Sequence, residues 1–247
     1  MLKLGSLELG ALPRIAVPFS DRASHAEVEA LRRRGLDVAE LRVDRFASPA
    51  TAHALAELDK FAGLPTLATI RVRSEGGGWT RSEAERLELF RALAPRVGAL
   101  DVELAAREIR DEVIAAAHRA GALAVVSHHD FEKTPGPEAL AALVARAQQT
   151  GADAVKIATT VRGPADVRSL AGALLASPNL IVIGMGESGT ATRVVFAALG
   201  SLLTYAFAGE ATAPGQLPFD EMMALMRRLF PAYDAEKAVE LASLGRG

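Results

Sequence analysis

The chain has 247 residues, half of them hydrophobic, with no cysteine and a formal net charge of −2. It can bury a sizeable core, it can form no disulfide or thiolate metal site, and it carries no bulk field toward nucleic acid or membrane. The opening MLKLGSLELG lacks the basic start and long apolar core of a signal peptide, and no stretch reaches the ~18 apolar residues of a membrane span, so a soluble cytoplasmic protein is expected.

Short apolar runs alternate with amphipathic helical segments along the chain. KLGSLEL near the start alternates like an extra strand or hairpin. RIAVPF (14–19) is the first strand of the series. Its helix has Ser24 and Glu27 at capping-box spacing and Gly35 as its stop. LDVAELRVD (36–44) is the second strand, and 49–61 its helix. PTLATIR (65–71) is the third, followed by a helix opening near Ser82 and Glu85 and ending before Pro95. ALDVEL (99–104) is the fourth, with a helix through His118. LAVVSHH (123–129) is the fifth, and Leu140, Leu143, Val144 and Ala147 fall on one face of its helix. DAVKIAT (153–159) holds the sixth, with a helix over 164–176. NLIVIGM (179–185) and LLTYAFA (202–208) are the seventh and eighth, with helices over 190–199 and 219–230. A last helix is predicted over 234–244.

Eight strand–helix units in a chain of this length predict a closed parallel (βα)8 barrel forming one domain over 1–247. The N-terminal strand or hairpin would cap its bottom. An open doubly wound sheet is the competitor, weakened because no G-x-G-x-x-G follows the first strand.

Barrels do chemistry at the C-terminal ends of their strands. There the sequence puts Glu40 and Arg42, Arg71, Asp101 and Glu103, His128 and His129, Lys156 and Met185. Charged residues are rarely buried unpartnered, so a polar cavity is expected. If Lys156 points inward, the small Ala154 and Ala158 point with it, and Val155 and Ile157 pack outward. Desolvation should then lower its pKa toward neutrality and free an amine able to attack a carbonyl. The competing reading is a lysine paired with a buried carboxylate such as Glu103. His128 and His129 offer a proton shuttle, and neighbours on a strand face opposite ways, so one of them serves. Glu75 either orients a histidine or is a solvated loop carboxylate; Gly76 and Gly77 give a flexible turn there. GMGESGTATR (184–193) is a glycine-rich loop before a helix, suited to phosphate, while Arg193 suits phosphate or carboxylate. TAPGQL (212–217) is a turn able to act as a lid.

Together these stretches resemble the type I 3-dehydroquinate dehydratase family, from AVPF to APGQ. The family's Glu-x-Arg-x-Asp signature stands as Glu40, Arg42 and Asp44. Its loop arginine and glutamate match Arg71 and Glu75, its His-Asp-Phe motif begins at His129, and its Lys-Ile-Ala motif begins at Lys156. Met185 and Arg193 keep the family's separation of eight, and Ala213 to Gln216 give the lid's Ala-Pro-Gly-Gln. His128, Thr212 and Ile183 depart from the common pattern; Thr212 keeps the hydroxyl of the usual serine.

The resemblance implies dehydration of 3-dehydroquinate to 3-dehydroshikimate, in aromatic amino-acid biosynthesis. It implies an imine on Lys156, proton transfer by His129, and Glu75 behind the histidine. It further implies substrate contacts from Glu40, Arg42, Arg71, Met185, Arg193, Thr212, Ala213 and Gln216. No cofactor or metal is required, the substrate is the only small-molecule partner, neither nucleic acid nor membrane is bound, and a homodimer is expected. Two alternatives stay open: another imine-forming barrel such as an aldolase, and a non-catalytic binding barrel.

Overall fold

A computed structural model describes residues 2–209, 211 and 213–244. The chain opens with a hairpin, β1 (Leu2–Leu4) and β2 (Leu7–Leu9), paired antiparallel with Leu2 opposite Leu9. The barrel follows: β3 (Arg14–Phe19), α1 (His25–Arg32), β4 (Val38–Arg42), α2 (Thr51–Glu57), β5 (Thr66–Thr69), α3 (Glu83–Leu93), β6 (Ala99–Glu103), α4 (Arg110–Ala120), β7 (Leu123–Asp130) and α5 (Pro137–Gln148). Then come β8 (Ala154–Thr160), α6 (Pro164–Ala176), β9 (Leu180–Met185), α7 (Thr192–Ala198), β10 (Leu203–Phe207), the two-residue β11 (Leu217–Pro218), α8 (Phe219–Leu229) and α9 (Pro231–Leu244). Both capping boxes read from the sequence are formed, Ser24 with Glu27 and Ser82 with Glu85. None of these helices is long and apolar enough to cross a membrane.

The strands β3 to β9 pair in parallel in chain order, and β10 returns to pair with β3. The remaining seam, β9 against β10, is held by Leu202 N–H donating to the Leu180 carbonyl at 2.9 Å. A serine hydroxyl bridges the same seam: Ser201 Oγ accepts from Val182 N at 3.0 Å and donates to Leu203 O at 3.1 Å. The fold is the expected (βα)8 barrel.

Alternation along the strands sorts the apolar residues into two cores. Outward residues such as Val17, Leu41, Val102, Val155 and Ile157 pack against the helices. Inward residues Ala16, Val38, Leu67, Ala99, Val125 and Ala154 fill the lower barrel, and Leu4 and Leu9 of the hairpin join them. The hairpin is therefore the plug of the barrel bottom. Below is apolar filling; above it on the same inward faces the residues turn polar.

Several boundaries differ from the pattern-based ones. The second strand stops at Arg42 because Arg42 and Asp44 pair across a 3-10 turn, Val43–Arg45, rather than continuing extended. The predicted helix over 190–199 is the shorter α7, preceded by a 3-10 turn, Glu187–Gly189. The last helix begins at Pro231, since proline suits a first helical turn. α9 is pinned from below: Lys237 Nζ lies 2.8 Å from Asp37 Oδ1, and Asp37 Oδ2 accepts from Tyr233 Oη at 2.7 Å and from Ile15 N at 2.8 Å.

Candidate active site

One cavity at the carboxyl ends of the strands gathers the residues singled out by chemistry. Glu40 and Arg42 enter from β4, and Arg71 and Glu75 from the segment after β5. His129 comes from β7, Lys156 from β8, Met185 from β9 and Arg193 from α7. Ala213 and Gln216 close over it from the segment before β11. Thr212 lies outside the described residues. Ile183 also lines the cavity. His128 faces the other way, half-buried in an outer cleft with Arg107, Arg110 and Arg146.

Lys156 is 4 % exposed, and its inward neighbours Ala154 and Ala158 leave it room. Its ammonium donates to Glu40 Oε1 at 3.2 Å and to Asp101 Oδ2 at 3.1 Å. The expectation of a near-neutral pKa is corrected here. Burial lowers it, but the charges of Glu40 and Asp101 outweigh burial and raise it above the ordinary lysine value. Lys156 is therefore an ammonium. The pairing partner is also not Glu103, which instead meets Arg71 at 3.2 Å and Arg86 at 3.0 Å.

Glu75 is buried, and its Oε2 accepts from His129 N at 2.9 Å and from His129 Nδ1–H at 3.0 Å. That fixes the ring and leaves Nε2 as the free nitrogen. Burial, followed by the positive charges of Arg71 and Lys156, pushes the imidazole well below its usual range, so it is neutral. Burial likewise pushes Glu75 up to about 7, with the nearby Glu103 adding to it against Arg71. The glycine turn that presents Glu75 is tight rather than flexible. Gly76 sits at φ 78°, and a Cβ on Gly77 would run into the Arg71 carbonyl. Asp44 fastens this turn by accepting from Gly78 N at 2.9 Å while holding Arg42 at 2.8 Å.

Arg71 is paired with two carboxylates, Asp101 at 2.8 Å and Glu103 at 3.2 Å, and donates to Ser127 Oγ at 2.6 Å. Arg193 is different. It is 3 % exposed, yet among the described residues it donates only to carbonyls: Gly215 O at 2.6 Å, Pro214 O at 3.1 Å and Tyr205 O at 3.3 Å. No carboxylate neutralises it among the described residues, and desolvation lowers its pKa to about 10. A buried guanidinium without a counter-charge is a seat for an anion. In the glycine-rich loop before it, three amides are already used: those of Gly186, Gly189 and Thr190 donate to Pro214 O, Gly186 O and Glu187 O.

Sequence reading missed Tyr205, Thr69 and Ser127. Thr69 donates to Glu40 at 2.9 Å, Ser127 to Asp101 at 2.6 Å, and the Tyr205 ring lies 4.5 Å from Lys156 Nζ. Each occupies an inward position one step above the apolar filling, and alternation from a known inward neighbour would have found them.

The fold and this site define a (βα)8-barrel enzyme built around a buried lysine, with a carboxylate-backed histidine and an anion seat in the same cavity. The sequence pattern of type I 3-dehydroquinases matches residues 15–231. The chain is 32% identical over 233 residues to 3-dehydroquinate dehydratase of Methanococcoides burtonii, covering 93% of this chain and 100% of the relative. It is 35% identical over 242 residues to the Methanosarcina acetivorans enzyme of the same name, at 93% and 100% coverage. The crystal structure of the Aquifex aeolicus 3-dehydroquinate dehydratase superposes with a TM-score of 0.81 at 31% identity, over 88% of this chain and 99% of that one. The chain belongs to the type I 3-dehydroquinase family.

Proposed function

We propose that this chain is a 3-dehydroquinate dehydratase in which Lys156 forms the imine and His129 moves the protons. The observation that carries the reading is the buried Lys156 sharing one cavity with the His129–Glu75 pair and with Arg193, which meets no carboxylate among the described residues. Arg193 and Gln216 hold the substrate carboxylate, with Arg71 nearby and Met185 and Ala213 walling the cavity. Glu40 and Arg42 take the ring hydroxyls.

Attack needs a neutral amine, so the Lys156 proton first passes to a base, and neutral His129 is the one available in the cavity. The amine adds to the C3 ketone, and the carbinolamine hydroxyl leaves as water with the proton that His129 took, giving an iminium that acidifies C2 and a neutral His129 again. His129 takes the C2 proton to give an enamine. The enamine electrons expel the C1 hydroxyl, which leaves as water with the proton from His129. Hydrolysis of the iminium releases 3-dehydroshikimate and restores Lys156. One water is lost overall, with no oxidant or reductant. An aldolase reading is less favoured because three amides of the glycine-rich loop, those of Gly186, Gly189 and Thr190, already donate to backbone carbonyls.

Borohydride with 3-dehydroquinate should add one reduced ligand and abolish activity, with peptide mapping placing it on Lys156; activity should survive EDTA. A label on Lys3, Lys60, Lys133 or Lys237 would refute the assignment. The same reading takes 1–247 as one domain, a cytoplasmic location, a role in the shikimate pathway and a homodimer, the last to be checked by light scattering.

A further inference from the structure

The Lys156 ammonium is shared between two carboxylates, Glu40 Oε1 at 3.2 Å and Asp101 Oδ2 at 3.1 Å. The chemistry cannot keep both. An ammonium has three N–H donors. When it condenses with a ketone, two of those protons depart in the water released, and the iminium nitrogen keeps one N–H. One carboxylate must therefore lose its donor while the positive charge stays. The two carboxylates differ in their surroundings. Glu40 lines the cavity, and its Oε1 also accepts from Thr69 at 2.9 Å. Asp101 is 1 % exposed and is not part of the cavity wall among the described residues. Its Oδ1 is fixed by Arg71 at 2.8 Å and by Ser127 Oγ at 2.6 Å, which leaves Oδ2 on the lysine nitrogen. Burial raises the Asp101 pKa, but Arg71 and Lys156 outweigh burial and hold it below the ordinary carboxylate range, so the group is charged. Glu40 is thus the carboxylate open to a substrate hydroxyl, and Asp101 the one tied to the protein.

We propose that Asp101 is a catalytic residue: it accepts the single N–H of the iminium on Lys156 and holds that cation through C2 deprotonation, while Glu40 gives up the nitrogen for the ring hydroxyls. The inference rests on imine formation at Lys156 and on hydroxyl binding by Glu40. A carboxylate already fixed in a buried site stabilises an adjacent cation without reorganising when the cation forms. It also keeps the nitrogen protonated. Only the protonated nitrogen is a strong electron sink for C2; a neutral imine is a weak one.

Substitution separates the two carboxylates. Asp101→Asn keeps the shape and removes the charge, so kcat should fall about 10²-fold or more. Borohydride trapping at saturating 3-dehydroquinate should slow by a similar factor, because borohydride reduces the iminium far faster than the neutral imine. Glu40→Gln should split the other way: KM should rise about tenfold, while kcat and trapping fall less than in Asp101→Asn. The wild-type enzyme supplies a readout that needs neither variant to fold. In a crystal soaked with 3-dehydroshikimate, the Lys156 nitrogen should lie within about 3.2 Å of Asp101 Oδ2, with Glu40 on a ring hydroxyl. Wild-type kcat and trapping in a folded Asp101→Asn, or a soaked structure in which the nitrogen keeps Glu40 and lies beyond hydrogen-bond reach of Asp101, overturns the proposal. Borohydride trapping of the wild-type enzyme is the control. If Lys156 is not labelled there, the underlying mechanism fails; if it is labelled and the nitrogen sits on Glu40, this inference alone fails.

Discussion

Glu75 is held at a cost to the fold, and replacing it should stabilise the protein while impairing it. Its carboxyl is pushed from an ordinary 4.5 to about 7 in the folded state. The folded chain therefore binds a proton more tightly than the unfolded chain does. The stability linked to that proton is fully present below 4.5 and is lost as pH rises through 7. The shift corresponds to about 3 kcal/mol of destabilisation at pH 8 and less than about 1 kcal/mol at pH 5. Glu75→Gln removes the charge, and its amide oxygen can still accept from His129. The new amide N–H without an assured partner costs about 1 kcal/mol. A net gain of about 2 kcal/mol at pH 8 should raise Tm by roughly 4–8 °C, and the gain should vanish at pH 5. The activity should move the other way. The carboxylate stabilises the imidazolium formed in each proton transfer, and a neutral partner is weaker, so kcat should drop about tenfold. The wild-type fall in kcat as pH drops through 7 should be absent from the variant. Calorimetric melts and kcat profiles from pH 5 to 9 test both halves. A variant less stable than wild type at pH 8, or one whose gain is equal at pH 5 and pH 8, would show that Glu75 is not strained.

The remaining predictions follow from the same geometry. His129→Ala should lose about 10²–10⁴-fold in kcat, while His128→Asn, on the outer face, should be nearly silent; the reverse pattern in steady-state kinetics would place the wrong histidine in the cavity. Arg193→Ala should weaken substrate binding by about 2–5 kcal/mol, and Arg193→Lys should not restore it, because a lysine cannot copy two parallel hydrogen bonds; a wild-type KM in either variant rules out the carboxylate seat. Lys237→Met should strip Asp37 of a buried partner and destabilise the chain by about 3–5 kcal/mol in urea titration, with KM and kcat unchanged at a temperature where it stays folded. Equal stability would mean that Arg14, 3.5 Å from Asp37, suffices alone.

Period and spacing alone carried the architecture. Alternating runs with capping boxes at Ser24 and Ser82 fix local structure through contacts a few residues apart, and strict alternation on DAVKIAT already puts Lys156 on the face opposite Val155 and Ile157. The split between His128 and His129 was legible for the same reason. What the sequence could not hold was which charges meet, because that depends on barrel closure. Lys156 lies 116 residues from Glu40 and 55 from Asp101, and it is their joint field, not burial, that sets its proton. Glu75 meets His129 across 54 residues only because the glycine turn packs against Arg71 and Asp44. In the sequence Tyr205 is one residue of the strand LLTYAFA, and Arg193 suits phosphate or carboxylate without showing what surrounds it. What they do depends on surroundings contributed by other strands: Tyr205 lies against Lys156, and Arg193 meets no carboxylate among the described residues. Local periodicity determines the direction in which a side chain points; only closure of the barrel decides what it finds there.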